Sequence, residues 1–305
     1  EPACKTYRAN FDDPFAIAGD ITAIEASEVP DFDICLAGFP CQAFSIAGSK
    51  KGFDDDYKGR ARGTLFFDML RICSDRVEKP RVIFCENVKG LPMHDRGRTL
   101  KTILGALDED GYVPYWKVLN SKNFGVPQNR ERIYIVAFRK DIDPGSFVFP
   151  ESAGRPCAIR DILEEAPISS KYYLSDTYLE TLRRHRARHE SKGNGFGYEI
   201  RDLNGIAGAI VCGGMGRERN LIIDHREHSR VPVTNIKGEI NREDVRKMTP
   251  REWARLQGFP DSFVLPLSDT QLYKQFGNSV TVPVIRAIAE RIKEVLDGSA
   301  LPDGQ

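Results

Sequence analysis

The spacing of hydrophobic positions changes character along the chain. Over the first 140 residues short apolar runs alternate with amphipathic ones: "FAIAGDI", "FDICLAG", "GTLFFDMLRICSDRV", "RVIFCENV", "RTLKTILGALDEDGY", "WKVLN" and "RIYIVAFR". In "GTLFFDMLRIC" the apolar residues Leu65, Met69, Leu70, Ile72 and Cys73 fall near helical spacing, whereas "VIFC" is short, continuous and β-rich like a buried strand. Such alternation predicts an α/β fold, strands separated by helices in a mostly parallel sheet. From about residue 150 the pattern turns to "PESAGRP", "GNGFGYE" and "CGGMGRERN", rich in glycine and turn residues, which predicts a separate loop-rich domain. Apolar positions at 282, 284, 285, 288, 292, 295 and 296 then predict a last helix packing back on the first domain. The expected organisation is one domain from 1–152 with 270–305, and a second from 153–269.

Open sheets of this class bind ligands beyond the carboxyl ends of their strands. Asp20 follows "FAIAG", Cys41 follows "DICLAGF", and Glu86-Asn87 follow "VIFC". If those strands are parallel, all three emerge on one edge. Arg130 and Arg132 open a strand instead of closing one, so they reach that edge only if their strand runs antiparallel to the others.

With 41% apolar and 29% charged residues, the 305-residue chain can bury a sizeable core. No run approaches the roughly 18 apolar residues of a membrane span, and "EPACKTYRANF" lacks a secretory pattern, which makes a cytoplasmic setting the default. Lysine plus arginine equals aspartate plus glutamate at 44 each, so any nucleic-acid surface must be local. Seven cysteines without a C-x-x-C pair disfavour a disulfide framework and a zinc site, and no metal is expected. Cys35, Cys73 and Cys85 lie in apolar runs and read as buried packing residues.

Cys41, in "AGFPCQAFSIAG", has other neighbours. A cysteine nucleophile needs its thiolate favoured by nearby cations, which Arg130 and Arg132 can supply. His94 has no convincing relation to a strand end, which argues against a cysteine hydrolase. Glu86, directly after a buried strand, is expected to be partly desolvated and able to donate a proton near neutral pH. A thiolate with an acid suits an electron-poor ring. Attack at carbon 6 of cytosine, with a proton at ring nitrogen 3, makes carbon 5 nucleophilic enough to accept a methyl group.

These residues resemble the cytosine-5 DNA methyltransferase family. "GFPCQAFSIAG" resembles its nucleophile loop, "ENVKGL" its glutamate motif and "VPQNRERIYIVAFR" its Q-x-R-x-R segment. "RKMTPREWARLQGFPDSF" resembles the motif closing the target-recognition domain, and "QFGNSVTVPV" the late cofactor motif. The five occur in family order over nearly the whole chain. The resemblance implies a Rossmann-like S-adenosylmethionine-dependent fold with an antiparallel strand and a target-recognition domain. It makes Cys41 the nucleophile, Glu86 the ring-nitrogen acid and Asn87 a holder of local geometry. Pro40 would shape the loop, Arg132 contact the base and Arg130 support Cys41. Cofactor contacts would come from Asp20, Ile21, Pro40, Leu65, Asn278 and Val280, with Asp20 either accepting from the adenine amine or capping a helix.

For DNA, the resemblance points to Gln42 and Ser45 in a mobile loop, and "SIAGSKKGFDDDYKGRARG", with five basic and three acidic residues, suits a lid over a flipped base. Arg217 and Arg219 in "CGGMGRERN", with the arginine-rich "LRRHRARHESK", are candidates for reading guanine, although the second stretch also reads as a solvated helix face. The family's first strand and F-x-G-x-G turn should precede "EPACKTYRANF" and do not appear. Either a leading segment lies outside this sequence, which a start at Glu1 favours, or this is a degenerate member; weak or no S-adenosylmethionine binding by these 305 residues is the expectation. The leading function is a monomeric bacterial modification enzyme acting on double-stranded DNA, with a restriction endonuclease as system partner. The alternatives are a transfer-RNA cytosine methyltransferase and a catalytically impaired DNA-binding homologue.

Overall fold

The computed structural model describes residues 1–14, 19–40, 65–165, 167–232 and 238–298. Along the chain these form α1 (Pro2–Asn10), β1 (Ile34–Ala37), α2 (Leu65–Ser74), β2 (Val82–Val88), α3 (Arg98–Glu109), β3 (Tyr112–Asn120), β4 (Gln128–Asn129) and β5 (Glu131–Arg139). There follow α4 (Asp176–Glu190), β6 (Ala207–Gly208), β7 (Leu221–Ile223), β8 (Val245–Lys247), α5 (Pro250–Leu256), α6 (Asp269–Asn278) and α7 (Val282–Leu296). Two compact units emerge, one of residues 15–120, 131–151 and 287–305, the other of 1–14, 121–130 and 152–286. One division falls between 151 and 152, and α1, residues 121–130 and α6 cluster with the second unit.

In the first unit the strand order is β1-β2-β5-β3. β1 and β2 are parallel, and β5 runs antiparallel to both β2 and β3. One face of this sheet carries Ile83, Cys85, Ile133, Ile135 and Ala137, which pack with Phe66, Met69 and Leu70 of α2 and Leu100, Ile103 and Leu107 of α3. Burial of Leu100, Ile103 and Leu107 at i, i+3 and i+7 is what orients α3 on the sheet. Cys73 and Cys85 are buried as expected. Cys35 is only half-buried because β1 is the edge of the sheet among the described residues. The predicted strand at "FAIAG" lies largely outside the described residues. α7 buries Val284, Ile288 and Ile292, and the Arg81 guanidinium donates to the Leu296 carbonyl at 3.4 Å, tying the helix end to the sheet.

The second unit has little regular sheet, as the glycine-rich pattern predicts. Its core gathers Trp253, Leu256, Tyr273 and Phe276 from α5 and α6 with Ile210, Ile222 and Met248. α5 begins at a capping box, Thr249 with Glu252, and Pro250 supplies a helical φ in its first turn.

Candidate active site

β2 places Glu86 and Asn87 at its carboxyl end, and successive side chains point to opposite faces. Asn87 turns toward the α2/α3 face and is 1% exposed. Its Oδ1 accepts from the Val88 amide at 2.8 Å and its Nδ2 donates to the Phe39 carbonyl at 3.4 Å. The Phe39 ring packs edge-on to Phe66 of α2 at 5.4 Å. Both contacts anchor the chain just before the Pro40–Cys41 bond.

Glu86 lies on the other face. In the antiparallel register Glu86 is opposite Tyr134 and Val88 opposite Arg132, so Arg132 is the diagonal neighbour of Glu86 on the same side. The Arg132 Nε lies 3.1 Å from Glu86 Oε1, and the two side chains are 15% and 17% exposed. Arg132 also donates from Nη1 to the Glu131 carbonyl at 2.8 Å. The antiparallel direction of β5 is therefore what brings Arg132 to the edge where Glu86 and Asn87 end.

Beside β1 and α2 an open cavity of about 510 Å³ is lined by Gly19, Ile21, Phe39, Pro40, Leu65 and Met69 among others, nearly all apolar. Three residues expected at the cofactor, Ile21, Pro40 and Leu65, share its wall. Arg71 of α2 donates to the carbonyls of Ile21 and Ile24 at 3.2 and 2.9 Å, holding that wall to the helix. Asp20, next to the lining, caps a 3-10 turn: its Oδ1 accepts from the Thr22 amide at 3.2 Å and hydroxyl at 2.8 Å. A volume in the range of small-molecule sites, with apolar walls, fits an adenine ring.

Other expected residues fall in the second unit. Arg130, 3% exposed, donates to the carbonyls of Ile210 and Ser279, both at 2.9 Å. Asn278 ends α6 and lines a separate cleft of about 360 Å³ with Glu1, Pro2 and Lys274, while Val280 is half-buried in the α6–α7 turn. The Arg217 guanidinium lies 5.4 Å over the Tyr273 ring, and Arg219 is exposed, 3.8 Å from Glu199. Cys41, Gln42 and Ser45, with the lid segment, lie outside the described residues. Among the described residues no three His, Cys, Asp or Glu side chains could hold a metal.

The sequence reading missed two glutamines. Gln128, fully buried, donates to the Leu256 carbonyl at 2.8 Å and the Gln257 Oε1 at 3.1 Å, and accepts from the Ile210 amide at 3.0 Å. Gln257 donates to the carbonyls of Phe276 and Ser279 at 2.9 and 3.1 Å and accepts from Thr281 at 2.9 Å. With Arg130 they clamp the "GNSVT" turn, joining three motifs in one buried knot. Their presence inside the quoted motifs was the available signal.

A family model for C-5 cytosine-specific DNA methylase matches residues 1–294. The chain belongs to the C-5 cytosine-specific DNA methylases. It is 60% identical over 301 residues to the type II methyltransferase M.HpaII of Haemophilus parainfluenzae, covering 97% of this chain and 81% of that protein. With the type II methyltransferase M.NlaX of Neisseria lactamica it shares 45% over 302 residues, covering 99% and 88%. Among solved structures, that of S. pombe Dnmt2 methyltransferase superposes with a TM-score of 0.68 at 20% identity, covering 98% of this chain and 88% of that one, a likeness of fold. The family description names DNA, not transfer RNA, as what these methylases act on.

Proposed function

We propose that this methylase transfers a methyl group from S-adenosylmethionine to carbon 5 of a flipped cytosine in a specific double-stranded DNA sequence, through a covalent bond from Cys41 to carbon 6. The observation that carries this reading is the Glu86–Arg132 pair at the carboxyl end of β2, beside the Asn87-anchored segment that leads to Cys41. The Cys41 thiolate adds to carbon 6 while the Glu86 carboxyl delivers its proton to ring nitrogen 3, and Arg132 orients that carboxyl and the base. S-adenosylmethionine supplies an electrophilic methyl group when bound. Loss of the carbon-5 proton, return of the ring-nitrogen proton to Glu86 and expulsion of the thiolate restore the ring. Ile21, Pro40 and Leu65 would hold the adenine, with Asp20 accepting from its amine.

Residues 153–269 would read the target, using Arg217 and Arg219, with Gln42 and Ser45 at the extruded base. The enzyme would work as a monomer in a bacterial cytoplasm, paired functionally with a restriction endonuclease. Among the described residues no helix is long and apolar enough to cross a membrane. The test is incubation with a 5-fluorocytosine duplex and S-adenosylmethionine, then denaturation. A DNA adduct that vanishes in Cys41→Ser is expected; an adduct that persists in that variant, or trapping on transfer RNA alone, would overturn the reading.

A further inference from the structure

α4 exposes a row of cations that the protein itself does not use. Of its fifteen residues, DTYLETLRRHRARHE, only Leu179 and Leu182 are buried. The basic side chains divide into two sets. Arg183 reaches Glu243 at 2.6 Å, and Arg186 holds Glu190 at 2.7 Å and lies 5.7 Å over the Tyr198 ring. Arg184, Arg188 and, in the following turn, Lys192 are exposed, and their side chains make no hydrogen bond or ion pair among the described residues. Spaced four apart, Arg184 and Arg188 stand on one face of the helix about 6 Å apart along its axis, and Lys192 continues the row.

Like charges at this spacing repel, and Glu180, exposed four residues before Arg184 on the same face, offsets only part of that repulsion. The helix dipole favours cations only in the last turn, which covers Arg188 and leaves out Arg184. A chain of zero net charge has no general excess of cations to explain the row. A duplex strand offers the complement, one phosphate every ~3.4 Å of axis, within reach of long flexible side chains.

We propose that Arg184, Arg188 and Lys192 form a rail for the phosphates of one strand of the duplex whose cytosine is methylated. The rail rests on DNA being the substrate. It sharpens the expectation for this arginine-rich stretch: these side chains position the duplex and do not read guanine.

The test compares a duplex containing the sequence that bisulfite sequencing identifies with a scrambled duplex, each titrated at several salt concentrations. Arg184→Gln/Arg188→Gln should lower the slope of log affinity against log salt by roughly two and weaken both duplexes by the same factor. Arg184→Lys/Arg188→Lys should keep the wild-type slope, because a point charge still meets a phosphate. Lys101→Gln/Arg286→Gln, exposed cations on α3 and α7, should leave the slope unchanged. The rail is overturned by an unchanged slope in the glutamine pair, by an equal drop in the control pair, or by loss of sequence preference in the lysine pair. If the wild type methylates DNA but the glutamine pair keeps its slope, only the rail fails. A wild type that binds no duplex removes the functional reading as well.

Discussion

Glu86 and Arg132 act on one another through a strand diagonal, and each constrains what the other can do. In the proposed mechanism the Glu86 carboxyl needs a fixed orientation toward the ring nitrogen, which the 3.1 Å contact would supply. Glu86→Gln preserves shape while removing the acid, so kcat should fall by on the order of 10²-fold or more with duplex affinity little changed. Equal losses in binding and turnover would argue against the acid role. Arg132→Ala should also cost on the order of 10²-fold in kcat. Because the two groups work as a unit, the double variant should be scarcely worse than either single one. Single-turnover rates across that cycle give the answer, and log-additive losses would mean independent roles. Arg130, two residues earlier, donates to the carbonyls of Ile210 and Ser279 in the second unit.

At the scale of elements, close approach and buried charge decide which substitutions the second unit tolerates. A Cβ on Gly277 of α6 would lie 2.4 Å from the Cys212 amide nitrogen and 2.6 Å from its Cα, backbone atoms that cannot swing aside. Gly277→Ala should therefore cost about 1–3 kcal/mol, read as a lowered denaturation midpoint. In the sequence this glycine belonged only to a cofactor motif; its packing duty became visible once the 211–212 segment was in place. Likewise Arg246 of β8, fully buried, meets Glu252 at 2.7 and 2.8 Å and Asp224 at 2.7 Å. Arg246→Met would leave the buried Glu252 carboxylate without its cation, while Asp224 keeps Arg226, and should destabilise by about 3–5 kcal/mol in urea unfolding. A midpoint within error of wild type would show that Glu252 finds another partner. No periodicity marks such a knot, because its members come from three separated segments.

Over the whole molecule Asp224 and Asp244 contribute to the response to acid. Burial pushes the Asp224 carboxyl up, but hydrogen bonds from Arg226 and Arg246 outweigh it and hold the group well below the usual carboxylate range. For Asp244 burial is again opposed, here by His225 and His228 with the charge of Arg230, and the net direction is down. A folded-state value below the unfolded one means that the unfolded chain binds more protons, so stability falls as pH falls. The contribution is complete above the unfolded carboxyl range near ~4 and drains away below it. Thermal melts should hold from neutral pH to about 5 and then drop steeply. In Asp224→Asn that acid-side drop should be shallower; a profile parallel to wild type would assign acid sensitivity elsewhere.

The sequence by itself determined the order of elements, the family and the identity of Cys41, Glu86 and Arg132 as candidates, because local apolar spacing and side-chain chemistry are written residue by residue. It also stated the condition for assembly, that the strand opening at Arg132 run antiparallel. Only the tertiary structure decided that it does, since strand direction is fixed by pairing between segments more than forty residues apart. The same holds for the clamp of Gln128 and Gln257 and for the division of α4's arginines into bound and unbound. Polar side chains carry no periodic signal of their partners, so their work is settled when the chain closes around them.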